Sequence, residues 1–217
     1  MFESSQAGSR QRIFAAKALL DAIDESRSRN DPAKQALENV FKGSFFVLLY
    51  GTVEYSITSV VSETIQFINE RGINHDIIKP RLLSLSLNPL CDSISSGAKK
   101  WKSRHNLFTK LEESCTFNAN TTLFPAEQGN IKDKQLTFIW QFFDIQDPPF
   151  PEEIYKGYFI TLAENRMAIA HGRQSAQEVG RNYSKEELIK YYDAVKGYCS
   201  YIFSCFETYC LNQGYLR

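Results

Sequence analysis

Arg166 and His171 are the two side chains in this sequence best suited to act together chemically. They lie five residues apart in ITLAENRMAIAHGRQ, with Gly172 directly behind the imidazole. A guanidinium is always charged and presents a planar fork that matches phosphate oxygens. An imidazole exchanges its proton near neutrality. These are the minimum requirements for cutting RNA without a metal, because the RNA 2′-hydroxyl supplies its own nucleophile. Asn165, beside the Arg, could add a hydrogen bond to phosphate, although an exposed helix amide is the commoner use of such a residue.

Spacing alone is weak evidence. Five helical steps leave two side chains ~140° apart, so Arg166 and His171 do not share a face. They converge only if the helix ends or bends near His171, or if a second chain supplies the other half. Gly172 favours a helix end, since Gly just past the last turn readily takes the left-handed conformation. The plainer alternative is an exposed Arg and a His resting on the negative end of the helix dipole. On spacing alone that alternative is preferred, because short motif matches recur by chance.

The elements that must position this pair read as helices. Residues 10–28 carry Ile13, Ala16, Leu20 and Ile23 at helical spacing. Asp31-Pro32 then breaks the pattern and can start a new helix, with Asp31 as cap and Pro32 at the first helical position. The run to about Glu70 predicts one long helix or two in tandem. Its buried stripe is Phe41, Phe45, Leu48, Leu49, Thr52, Ser56, Val60 and Phe67. Gly43 and Gly51 argue against an unbroken rod. Residues 73–130 are irregular: Pro80 and Pro89 interrupt two short apolar runs, and 118–130 reads as loop or a short hairpin. The basic run KKWKSRH (99–105) reads as a solvated helix face more readily than as a phosphate track. Helical pattern resumes over 133–144 with Leu136, Ile139, Trp140 and Phe143. DPPFP (147–151) is a stiff connector. The motif helix follows from Glu152 to Ala170, with Ile154, Tyr158, Leu162 and Ile169 as its apolar side. RQSAQEVGRN reads as turn or loop. Ser184 and Glu187 form a capping box opening a helix that runs to about Asn212.

Composition narrows the function classes. In 217 residues Lys plus Arg balance Asp plus Glu, so the net charge is zero. That excludes a protein that coats nucleic acid through bulk charge, but not one that holds RNA in a local pocket. The five cysteines include no C-x-x-C pair and no His at zinc-finger spacing, so neither metal nor cofactor is expected. The polar start MFESSQAGSR lacks the apolar core of a signal peptide, and a cytoplasmic protein with reduced thiols is expected. The most apolar stretch, FFVLLYGTVEYSITSVV, has Glu54 in its middle and reads as a core helix, not a membrane span. Glu54 either turns to solvent or faces the core. In the core it needs a partner, and Arg166 is the candidate. His75 and His105 receive no role.

The segment ENRMAIAHGRQ, followed by YSKEELIKYYDAVKGYCSYIFSCFETYC, resembles the HEPN family of helical proteins. FFVLLYGTVEYSITSVV, with its embedded acid, and GNIKDKQLTFIWQFFDI look like the MAE-type branch of that family. These pieces span most of residues 40–212, and their order is more specific than the R-x4-H match by itself. The resemblance implies an all-α antiparallel bundle forming a single domain, 1–217, with a variable insertion at about 73–130. It implies a dimer that sets two R-x4-6-H motifs across one cleft. Many members are metal-independent endoribonucleases, often toxins of toxin–antitoxin or phage-defence systems. Carried over by position, the catalytic pair is Arg166 and His171, with Asn165 and Glu54 in support. The implied partners are RNA, a second copy, and an antitoxin or second HEPN protein, with no membrane. Two positions depart from the family pattern. The residue after the Arg is commonly Asn, Asp or His and helps orient the site, whereas here it is Met167. One subgroup has Tyr two residues after the His as a nucleotide-attachment point, whereas here it is Arg173. A non-catalytic nucleotide- or RNA-binding module, or a partner-regulating subunit, is the alternative.

Overall fold

A 39-residue helix, α2 (Pro32–Glu70), is the axis of the fold. Pro32 occupies the first turn, where a missing N–H costs nothing. The Asp31 carboxylate accepts from the N–H groups of Ala33 and Lys34 at 3.1 and 3.2 Å, and these bonds, that from Lys34 first, lower its pKa. The structure, a computed structural model, describes residues 1–23, 31–95, 100–113, 115–124 and 131–217. Among them are nine helices and no β-strand, with isolated bridges at Asn74–Thr116 and Ile78–Leu216. The fold is the expected all-α helical bundle. Helices α1 (Glu3–Ala22), α7 (Glu153–Ala170), α8 (Ala176–Gly180) and α9 (Lys185–Leu211) pack against α2. The remaining helices are α3 (Pro80–Ser86), α4 (Asn88–Ser95), α5 (Lys100–Glu112) and α6 (Asp133–Phe143).

Being covered from several sides, α2 buries more than one stripe. Phe45, Leu49, Thr52, Ser56 and Val60 are buried as expected, but so are Phe46, Tyr50, Val53, Ile57 and Ile65. Leu48 is 41% exposed, and Phe41 and Phe67 are half-buried, which corrects the single-stripe reading. The same helix is long and apolar enough to cross a membrane, yet more than half of its most apolar window is covered by the rest of the fold.

The helix is unbroken, and of its two glycines Gly43 serves packing. A Cβ on Gly43 would stand 1.9 Å from the Ala176 carbonyl oxygen, and one on Gly180 would stand 1.9 Å from that of Asn39. Backbone therefore meets backbone where α8 crosses α2. At the N-terminus, small residues have the same effect. A Cβ on Gly8 would overlap the Tyr55 ring, and the Ser9 and Ser56 hydroxyls are 2.9 Å apart. Hence α1 starts at Glu3, well before residue 10, and buries Ser5 and Ser9 in a stretch that reads as polar. The expected end of this first helix falls partly on 24–30, outside the described residues.

The insertion is more helical than its prolines suggest. Pro80 and Pro89 sit in the first turns of α3 and α4, where they open helices and do not stop them. The described part of 118–130, up to 124, is loop; 125–130, and the Gly129-Asn130 start of the segment before α6, lie outside the described residues.

Helix α6 buries Leu136, Ile139, Trp140 and Phe143. Phe143 packs edge-on to Phe206 and Tyr209 of α9 at 5.5 and 5.8 Å. The proline connector is pinned through its carbonyls: Tyr198 and Tyr201 donate to the oxygens of Pro149 and Pro148 at 2.9 and 2.6 Å. Helix α9 begins behind Ser184, whose hydroxyl accepts from the Glu187 N–H at 3.3 Å while Glu187 accepts from the Ser184 N–H at 2.8 Å. Ser184→Ala is expected to cost about 1 kcal/mol, read as a lower urea midpoint. An unchanged midpoint would mean the cap contributes nothing.

Candidate functional site

The motif lies on the last turns of α7, which buries Phe159, Leu162, Ala163 and Ala168. Ile154 is 57% exposed and Tyr158 is half-buried, so the apolar side differs from the expected one. The reason is that α7 meets α2 through Phe159, which stacks on Tyr50 with ring centres 6.2 Å apart.

Arg166 is half-buried, and its guanidinium carbon lies 5.1 Å above the centre of the Tyr50 ring. A cation over an aromatic face is held by the ring's quadrupole. Tyr50 is itself fixed, since it is 1% exposed and donates to the Ile131 carbonyl at 3.0 Å. Burial pushes its hydroxyl up to about 12; the Glu54 carboxylate pushes the same way and the Arg166 charge opposes. Tyr50 therefore keeps its proton at neutral pH and is a platform, not an acid. Glu54 is half-buried on α2, one turn beyond Tyr50. It lies neither in the core nor fully in solvent, and its charge and that of Arg166 both act on the Tyr50 hydroxyl. Tyr50 thus feels the charges of both Glu54 and Arg166, a part the sequence reading missed. The available signal was position: Tyr50 precedes Glu54 by four residues and shares its helix face.

His171 is the C-cap of α7 and is exposed. Gly172 follows in the left-handed conformation, φ 66°. The Arg173 N–H returns to the Ala168 carbonyl at 2.9 Å, closing the last turn. The helix therefore ends where Gly172 predicts. With φ −93° and ψ 7°, His171 stays close to the helical path, so this ending does not swing the imidazole toward Arg166. Arg166 faces α2 while His171 faces solvent, as the ~140° separation requires.

Asn165 has a defined bond: its amide donates to the Tyr183 hydroxyl at 2.9 Å. Tyr183 packs on Phe46 of α2, ring centres 4.5 Å apart. Asn165 thus ties the motif helix to the segment that leads into α9. That segment, RQSAQEVGRN, is more ordered than a turn or loop. Ser175 and Glu178 form a second capping box and open α8. The sequence carries this signal in SAQE, with the same spacing as Ser184 to Glu187.

A family model described as RiboL-PSP-HEPN matches residues 10–208. The chain belongs to this HEPN family. No curated protein and no solved structure matches it. The match runs through the insertion as well as the motif helix, so α3 to α5 lie inside the region of HEPN likeness. Within this HEPN fold Met167 is half-buried. It lines a cleft of about 140 Å³ with Lys132, Asp133, Ile160, Ala163 and Glu164. Arg173, at the position of the nucleotide-accepting Tyr of one HEPN subgroup, is exposed.

Proposed function

We propose that this HEPN protein is a metal-independent endoribonuclease, acting as the toxin of a toxin–antitoxin or phage-defence system, with Arg166 and His171 as its catalytic pair. The observation that carries this reading is the division of the motif between a supported cation and an exposed imidazole. Arg166 is held over Tyr50, so its orientation is set before substrate arrives. His171 stands in solvent at the helix end, where a strand can reach it.

In the proposed reaction a base removes the proton of the RNA 2′-hydroxyl, and the oxygen attacks the adjacent phosphorus. The bond from phosphorus to the 5′-oxygen breaks, and an acid returns a proton to that oxygen. The products are a 2′,3′-cyclic phosphate and a 5′-hydroxyl. Arg166 stabilises the charge that builds on the phosphoryl oxygens, and His171 serves as base or acid. Because the two side chains diverge within one helix, the reading includes a homodimer in which His171 of one chain serves the phosphate clamped by Arg166 of the other. Glu54 supports through Tyr50 and Asn165 through Tyr183. This role for Glu54 fits the MAE-type likeness of its segment.

A non-catalytic RNA-binding role is favoured by one observation. Met167, at a position usually polar in the family, is apolar here and lines a cleft. Incubating purified protein with RNA in EDTA separates the two. The parent is expected to cut RNA and spare a DNA copy, leaving cyclic-phosphate ends. Among the described residues no group of three or more His, Cys, Asp or Glu side chains is gathered as a metal would need, so EDTA should change nothing. Intact RNA with retained binding would establish the non-catalytic role.

A further inference from the structure

Among the described residues, helix α5 (Lys100–Glu112) has no fully buried side chain; its Leu107 is half-buried against the core, and α4 is the helix that packs most closely on it. The rest of such a helix is expected to be polar, but that of α5 is not. Trp101 is 73% exposed, Phe108 62% and Leu111 40%. Trp101 and Phe108 are seven residues apart, so they lie on nearly one line, about 10 Å along the helix. Arg104 and His105 fall between them on the same side, and the Arg104 guanidinium carbon lies 4.8 Å from the Trp101 ring centre. Single exposed apolar residues are ordinary, but two large rings in register, both well over half exposed, are not.

Charge selects the occupant. From Lys100 to Leu111 the helix has no acid, and it carries Lys100, Lys102, Arg104 and Lys110. Lys110 is taken by Glu113 at 2.7 Å. Lys100, Lys102 and Arg104 have no ion pair among the described residues. On α4 the nearby acid, Asp92, accepts from Asn88 at 2.9 Å. The local excess of positive charge is notable in a chain of zero net charge. Cations interleaved with exposed rings are what a single strand requires: phosphates take the charge and bases stack on the rings. A protein partner or a bilayer would instead have to bury Arg104 and His105 in the middle of the apolar contact.

We propose that α5 is a docking helix for single-stranded RNA, with Trp101 and Phe108 stacking bases and Lys100, Lys102 and Arg104 holding phosphates. The choice of RNA as the strand rests on the ribonuclease reading; the helix would give the substrate a second anchor, apart from the Arg166–His171 motif.

Tryptophan emission tests this directly. The chain has two tryptophans, and Trp140 is 2% exposed, so a change on adding ligand reports Trp101. The parent protein is titrated with a short 2′-O-methyl oligouridylate, which lacks the attacking hydroxyl, and separately with anionic phosphatidylserine vesicles. The oligonucleotide is expected to quench emission and the vesicles to leave it unchanged. Trp101→Ala and Phe108→Ala, followed by anisotropy of a labelled oligonucleotide, should each weaken binding about tenfold. Replacing Lys100, Lys102 and Arg104 together by Gln should make the log–log salt slope shallower by about two. Circular dichroism checks that the variants stay folded. Unchanged affinity in both ring variants, or emission that answers vesicles and not RNA, overturns the proposal. Its failure is distinct from failure of the ribonuclease reading. A parent that cuts RNA while the ring variants bind normally defeats the docking helix alone. A parent that binds through Trp101 and never cuts defeats the ribonuclease alone.

Discussion

Gly43→Ala is expected to destabilise this protein by about 3 kcal/mol, the upper end of the usual cost of adding one methyl group to a packed interior. The new Cβ would stand 1.9 Å from the carbonyl oxygen of Ala176. That atom is backbone, so no side chain can rotate away, and α8 must lift from α2. Gly180→Ala should behave alike, since its Cβ would meet the Asn39 carbonyl at the same distance. The contact lies beside a buried pair, Lys42 and Glu38, 3.0 Å apart on α2, so lifting α8 also brings water towards paired charges. Gly51 is the control. Its Cβ would meet nothing within 4 Å, so Gly51→Ala should be neutral or stabilise by up to about 1 kcal/mol, from helix propensity. Urea unfolding of the three variants measures this. Equal midpoints for Gly43→Ala and Gly51→Ala would show that α8 does not seat on α2 as described. Because α8 starts five residues after His171, Gly43→Ala should also speed amide exchange in 172–183, the segment that holds the end of the motif helix.

The glycine notch shows why part of the fold was legible in the sequence and part was not. Helices bounded by local chemistry were read closely: Asp31-Pro32 for α2, Leu136 to Phe143 for α6, and Ser184 with Glu187 for α9. Caps and periodic apolar stripes are properties of a few neighbouring residues. What depended on distant partners was misread. Gly43 reads as a weak point in a rod until α8 is known to cross there. Ser5 and Ser9 read as a polar start until Gly8 admits Tyr55. Leu48 and Ile154 have the right periodicity but remain 41% and 57% exposed. The capping box at Ser175 was locally readable and was hidden by the many turn-forming residues around it.

In the candidate site, Arg166 and His171 were singled out from residue type and spacing, and the end of α7 at Gly172 was read from one residue's backbone freedom. Tyr50 was not found, because its part depends on α2 and α7 lying side by side. The same juxtaposition gives Asn165 its bond to Tyr183, a contact across 18 residues that no periodicity announces.

Mixing Arg166→Ala and His171→Ala, each expected to be inactive alone, should restore about one quarter of parental cleavage once subunits exchange at equal amounts. Half of the dimers would then hold both variants, and in those one of two composite sites would draw an intact Arg166 from one chain and an intact His171 from the other. A site confined to one chain gives no recovery, because every chain in the mixture lacks one of the pair. The expectation follows from the end of α7: Gly172 stops the helix, but His171 remains near the helical path and in solvent while Arg166 turns toward Tyr50. Alone, His171→Ala should cut about 10²–10⁴-fold more slowly, the usual cost of losing a positioned proton carrier. Its fold should be unaffected, since an exposed cap residue carries little packing. Arg166→Lys should lose about 10²-fold or more, because an ammonium cannot replace a planar fork holding two phosphoryl oxygens. It should remain folded, since a cation over Tyr50 contributes only about 0.5–1 kcal/mol. Cleavage by His171→Ala at the parental rate would remove the imidazole from the mechanism. Failure of the mixture to recover, with both variants dimeric by light scattering, would place the pair in one chain.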